Sequence, residues 1–98
     1  MLPEHLHIQM IPSLYLFVQD GCEACAAAAP AWERLRREDP TSLIIIPLHV
    51  NRRDWDILGW RPKGTPGYAL VVNGRLVKKH VGALDYKELK TWLGEVLE

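Results

Sequence analysis

The sequence predicts an α/β fold, a mixed four-stranded sheet flanked by helices, in one domain spanning residues 1–98. Three observations predict it. Two short, almost wholly apolar runs, at 13–18 and 43–50, bracket a stretch whose apolar residues recur three and four positions apart, the strand–helix–strand pattern of a parallel pair. Further on, Asn73-Gly74 stands between two more apolar runs, among the stronger short-range signals of a β-hairpin. A composition of 48% hydrophobic and 24% charged residues is that of a globular chain, not a disordered or membrane-spanning one.

Residues 1–12 are too few for another strand–helix unit, but leave room for a short fifth strand around 6–10. The run at 13–18, Ser-Leu-Tyr-Leu-Phe-Val, lacks polar alternation, as a strand buried on both faces would. Gln19, Asp20 and Gly21 break it. A helix over about 22–38 presents Cys25, Ala28, Trp32 and Leu35 inward, and its four alanines at 26–29 are strong helix formers. Pro30 inside it removes the bond to the Ala26 carbonyl and is expected to kink it. Residues 39–42 form a turn. Within the isoleucine-rich strand at 43–50, Pro47 cannot donate to a ladder, which points to an edge strand or an edge-facing position. The connection at 51–63 carries a helical turn or two around 53–58. The hairpin strands run over 68–72 and 76–81. The last helix opens at Asp85, an N-cap with Glu88 three residues on. Its apolar face is Leu89, Trp92, Leu93, Val96 and Leu97. A helix between the first two strands makes them parallel through a right-handed crossover.

Twelve basic residues balance twelve acidic ones, so no whole-molecule field favours nucleic acid or an anionic membrane. No stretch approaches the ~20 apolar residues of a membrane helix. The start, Met1 to His5, lacks the basic region and apolar run of a secretory leader. A secreted form with its leader removed would read the same; the cytoplasm is the expected location. The only two cysteines, Cys22 and Cys25, close too short a loop to stabilise a fold as a staple. In a reducing compartment that spacing points to redox chemistry or a metal.

Cys22-Glu23-Ala24-Cys25 sits where a buried strand feeds a helix, and that context makes the motif informative. Free amides and the dipole at a helix N-terminus favour an anion, so a thiolate is stabilised at Cys22, and the thiolate is the nucleophile. Cys25, one turn further on and on the inward stripe, is less accessible and suits the resolving role. Cys22 attacks a substrate disulfide; Cys25 then attacks Cys22, releasing reduced substrate and leaving the pair oxidised. Glu23 places a negative charge beside the thiolate and disfavours it, which tunes the pair toward a reductant. No cofactor beyond this disulfide is expected. Half of a metal site is the competing reading of the two cysteines.

Taken together, these features resemble the thioredoxin family from about Leu14 onward. Cys22 and Cys25 follow the first central strand, and Pro30 stands five residues beyond the second cysteine, where the family has its helix-kinking proline. Gly64-Thr65-Pro66 is similar to the family's cis-proline loop, Val71-Val72-Asn73-Gly74 to its hairpin, and Val81-Gly82-Ala83-Leu84 to its turn into the last helix. The resemblance implies a cis Thr65–Pro66 bond beside the disulfide, with the backbone of Thr65 offered to an extended substrate chain and Gly82 lining the groove. Three departures stand out. Gly21 replaces the tryptophan usual before the first cysteine, and Glu23-Ala24 replaces Gly-Pro. The family's buried aspartate and its lysine partner fall on Leu16 and Pro47; losing both is coherent, since either charge buried alone would be costly. Water, Glu23 or a histidine is left to accept the Cys25 proton.

Trp60 can flank the substrate groove or pack on the core, and packing is the commoner fate of a large aromatic. Arg61 and Lys63 are solvated surface charges or attractors of a substrate carboxylate. His5 and His7 lie on one strand face and could complete a zinc site with the cysteines. His49 and His80 read as strand residues without a role. The resemblance implies a monomer that acts on protein disulfides and takes electrons from a thioredoxin reductase-like flavoprotein or from glutathione. It binds neither nucleic acid nor membrane. A glutathione-dependent glutaredoxin-like enzyme, a non-catalytic binding module of the same fold and a structural metal protein are the alternatives.

Overall fold

The apolar run at Ser13–Val18 forms strand β1, and its central place in the sheet explains the missing polar alternation: Leu14, Leu16 and Phe17 are at most 1% exposed. In the computed structural model, which describes residues 11–38, 43–50 and 56–97, β1 is followed by helix α1 (Glu23–Glu38) and strand β2 (Ile44–His49). Strands β3 (Gly67–Val72) and β4 (Arg75–Val81) and helix α2 (Tyr86–Leu97) complete the chain order. The four strands form one mixed sheet in the order β2-β1-β3-β4. β1 and β2 are parallel; β1 with β3, and β3 with β4, are antiparallel, with a bulge between Leu70 and Val71. β2 is thus an edge strand, where the missing N–H of Pro47 costs least.

Strand parity sorts the side chains. Leu14 and Leu16 of β1, Tyr68 and Leu70 of β3, and Ile45 of β2 share one face. Both helices pack there, α1 through Cys25, Ala28, Ala31, Trp32 and Leu35, and α2 through Leu89 and Leu93. Burial of each such leucine contributes about 1.5–3 kcal/mol. Pro30 is accommodated within α1, which continues beyond it to Glu38. On the opposite face Trp60 stands edge-on to Phe17, ring centroids 5.8 Å apart. Pro62 lies so close to Gly67 that a Cβ there would sit 2.7 Å from the proline Cβ, so only glycine fits.

Tyr68 joins the layers. Its hydroxyl accepts hydrogen bonds from Trp32 Nε1 (3.1 Å) and the Leu84 amide (3.3 Å), and its ring contacts those of Trp32, Trp92 and His80. Burial pushes its phenol above the usual tyrosine range. The hairpin turn has both Asn73 and Gly74 at positive φ, the backbone a two-residue hairpin needs. Asp85 caps α2 reciprocally with Glu88: the Glu88 amide donates to Asp85 Oδ1 at 2.8 Å and the Asp85 amide to Glu88 Oε1 at 2.9 Å. The last turn of α1 is tied to the first of α2, because the Tyr86 hydroxyl donates to Glu38, which Arg34 also pairs. The Tyr86 hydroxyl first, and then Arg34, hold the Glu38 carboxyl below the usual carboxylate range.

One expectation is corrected. The helical turn assigned to 53–58 lies mostly outside the described residues, but its end is a tight reverse turn. Ile57 and Trp60 exchange both backbone hydrogen bonds around Leu58 (φ 51°) and Gly59 (φ 87°), and two successive left-handed residues cannot continue a right-handed helix. The fifth strand around 6–10 and the side chains of Val96 and Leu97 also lie outside the described residues.

Candidate active site

β1 ends in the Gln19-Asp20-Gly21 turn, and that turn delivers Cys22 to the cap position of α1. The Cys22 carbonyl accepts the Ala26 amide at 3.2 Å. Its sulfur stands where a capping oxygen normally does and accepts the Cys25 amide at 3.0 Å. The two cysteines are disulfide-bonded, with Cα atoms 5.2 Å apart. Cys22 is half-buried, whereas Cys25, on the inward face of α1, is 7% exposed.

A second donor reaches the same sulfur from the loop before β3: the Thr65 hydroxyl lies 3.3 Å from Cys22 Sγ. Thr65 is placed by its cis peptide bond to the buried Pro66. The Pro66 carbonyl in turn accepts the amide of Gly82 at 2.9 Å, which locks the loop to the end of β4. Gly82 has φ +119°, a backbone that side chains rarely adopt. The end of β1, the start of α1, the loop before β3 and the end of β4 therefore converge on one sulfur.

The surroundings are polarised. An open cavity of about 690 Å³ on one side of the pair is lined by Asp20, Glu23, both cysteines, Trp32 and His49 among others. A smaller one of about 290 Å³ is lined by Gln19, Arg61, Lys63 and Thr65 among others. The cavity that holds the cysteines carries acidic groups, and the one that Thr65 lines carries basic ones. Inward of the pair the core is apolar: Cys25 belongs to the same buried cluster as Leu16, and among the described residues no polar or charged residue is buried.

Of the residues singled out from sequence, Cys22, Glu23, Cys25, Thr65, Pro66 and Gly82 fall in this one region, joined by the contacts above. Trp60 lines neither cavity; it packs on Phe17 and lies under Lys79, whose Nζ is 5.8 Å from its ring. His5 and His7 lie outside the described residues, among which no cluster of three or more metal-ligating side chains occurs. Two side chains of this region were not assigned to it from sequence. The hydroxyl of Tyr68 fixes Trp32, which lines the larger cavity; apolar patterning marks a tyrosine as core without revealing its bonding. His49 faces that cavity too. Its position opposite Val18 in the parallel register, two residues from Asp20, was the signal available, but only once strand pairing was known.

A disulfide formed at the amino end of a helix, from one accessible and one buried cysteine, defines a thiol–disulfide oxidoreductase. No family model matches the chain. Among curated proteins it is 25% identical over 89 residues to thioredoxin 1 of Chlorobaculum tepidum, covering 91% of this chain and 88% of that one. It is 28% identical over 82 residues to the thioredoxin of Buchnera aphidicola, covering 84% and 75%. The fold is also that of a solved thioredoxin-2 structure, described as a component of malaria parasite protein secretion machinery (TM-score 0.77, 12% identity, 87% of this chain and 82% of that one). Over most of its length the chain is thus similar in sequence to thioredoxins, and it shares their fold.

Proposed function

We propose that the protein reduces protein disulfides, with Cys22 as nucleophile and Cys25 as resolving thiol. The observation that carries this reading is the pair of donors on Cys22 Sγ, the Cys25 amide and the Thr65 hydroxyl. Hydrogen bonds to an ionised acceptor are stronger than those to a neutral one, so both donors favour the Cys22 thiolate. Cys25 has a less exposed sulfur on an apolar floor, so burial works against its thiolate until the mixed disulfide is in place. An extended substrate segment lies along the Thr65 backbone, beside Pro66 and Gly82. Its disulfide accepts the Cys22 thiolate and releases one substrate thiol. Cys25 then attacks Cys22, the second substrate thiol leaves, and the pair returns to the disulfide.

Glu23 supports the reducing direction. It is exposed at the first position of α1, between the two cysteines, and its charge opposes a thiolate beside it. A thiolate that is less stabilised makes the reduced form less stable and the pair more reducing. Glu23→Gln is expected to raise the reduction potential by roughly 10 mV, since 30 mV corresponds to about 1.4 kcal/mol in a two-electron couple. Equilibration against glutathione redox buffers reads it, and an unchanged or lowered potential removes Glu23 from the account. The reading places the protein in a reducing compartment such as the cytoplasm, acting as a monomer with a flavoprotein reductase as electron donor. Among the described residues no helix is long and apolar enough to cross a membrane.

A second reading is favoured by Arg61 and Lys63, which share a cavity with Thr65 and would suit a carboxylate of glutathione as donor. Turnover of an insulin-type disulfide substrate tests both. The wild type is expected to reduce it and Cys22→Ser to be inactive; activity surviving in Cys22→Ser, or absent from the wild type, contradicts the function. Recycling by a thioredoxin reductase but not by glutathione supports the first donor, and the converse supports the second.

A further inference from the structure

Resolution requires Cys25 to lose a proton, and the apolar floor beneath it offers no acceptor. Cys25 packs in the same apolar cluster as Leu16, and among the described residues no carboxylate, histidine, lysine or arginine is buried. The proton must leave through the open cavity that Cys25 shares with Asp20, Glu23 and His49. Ordinary carboxylates titrate near ~4 and thiols near ~8.5, whereas an imidazole near ~6.5 is much better matched to a thiol. His49 ends β2 on the helix-bearing face, opposite Val18. Its Nδ1 is 3.7 Å from Asp20 Oδ1. A carboxylate on that side favours the tautomer with the proton on Nδ1 and the lone pair on Nε2.

We propose that His49, oriented by Asp20, accepts the Cys25 proton through the solvent of this cavity during the resolving step. The inference rests on the roles given above to Cys22 and Cys25. In the mixed disulfide, imidazole takes the Cys25 proton and the Cys25 thiolate attacks Cys22 Sγ. The bond between Cys22 and the substrate sulfur breaks as the Cys22–Cys25 bond forms. The substrate sulfur leaves with the electron pair, and the imidazolium proton returns to it or to solvent. The ionisable groups facing His49 across the cavity are Asp20 from the β1–α1 turn and Glu23, Cys22 and Cys25 from α1. Both carboxylates are exposed at the rim of the cavity.

The test is rapid mixing of the reduced protein with the aryl disulfide dithiobis-nitrobenzoate. A first chromophoric thiolate is released when Cys22 attacks, and a second when Cys25 resolves. The second phase is expected to fall as pH drops through the imidazole range, between pH ~7.5 and ~5.5. His49→Gln is expected to slow it at least ~10-fold at pH 7, below the ~10²–10⁴ of a general base in direct contact, and to abolish that inflection. Added imidazole is expected to restore the rate in His49→Ala. A second phase with the same rate and pH profile in His49→Gln overturns the proposal, as does a slowed phase that keeps its profile and resists rescue. No second phase in the wild type, or one that persists in Cys25→Ser, instead overturns the assignment of Cys25 as resolving thiol.

Discussion

Two contacts at the scale of single residues link the redox chemistry to the fold. The Thr65 hydroxyl reaches Cys22 Sγ from the neighbouring loop, and a donor there matters most when the sulfur carries charge. Thr65→Val keeps the shape and removes the donor. It is expected to slow alkylation of reduced Cys22 by iodoacetamide near neutral pH by up to about tenfold, the size of one hydrogen bond to a charged group. An unchanged rate means the hydroxyl plays no part in activating the thiol. Tyr68 is the structural counterpart. Tyr68→Phe strands the Trp32 indole N–H and the Leu84 amide, and is expected to cost about 1–3 kcal/mol in urea unfolding. The phenol also carries a sign with pH. Burial raises its pKa in the folded state, so the folded protein holds the proton more tightly than the unfolded chain. That stability is present below the usual tyrosine value near ~10 and is lost as pH rises toward the folded pKa. The wild type is expected to lose stability above that value; Tyr68→Phe is expected to lack that part of the loss.

At the scale of elements, much could be read from sequence because each signal was local. The buried stripe of α1, Cys25, Ala28, Trp32 and Leu35, follows from helical spacing alone, with Ala31 added by the structure. Asp85 and Glu88 announced the start of α2, and Asn73-Gly74 the hairpin turn, because each satisfies or shapes backbone within three residues. Asp85→Ala is expected to cost about 1 kcal/mol in chemical denaturation, the usual loss of an N-cap; no loss would mean the Glu88 half of the box suffices. The end of the connection after β2 departs from the helical expectation because its turn depends on Leu58 at positive φ, which no local rule assigns to leucine. Which sheet face takes the helices was equally illegible: an amphipathic stripe says that a helix packs, not on which side. His49 shows the same limit, since a strand histidine gains meaning only from the parallel register that sets it beside the cysteines' cavity.

Across the whole molecule, the topology gathers chemistry at one end of the central strands β1 and β3. Parallel pairing of β1 with β2 and antiparallel pairing with β3 bring the Cys22 turn, the Thr65–Pro66 loop and the Gly82 corner together from distant parts of the chain. The acidic lining of one cavity and the basic lining of the other offset each other in the net charge, so composition alone gave no hint of them. Arg61→Glu with Lys63→Glu is expected to lower kcat/KM for an acidic disulfide peptide more than for a basic one. Equal effects would assign these residues to the solvated surface. Trapping of the reaction intermediate tests the exchange through Cys22 most directly. Cys25→Ser, mixed with a disulfide-containing protein and resolved by mass spectrometry, is expected to accumulate an adduct on Cys22 that dithiothreitol releases. Cys22→Ser is expected to form none. Failure of Cys25→Ser to form that adduct, or equal trapping on Cys25 in the converse variant, would contradict the account.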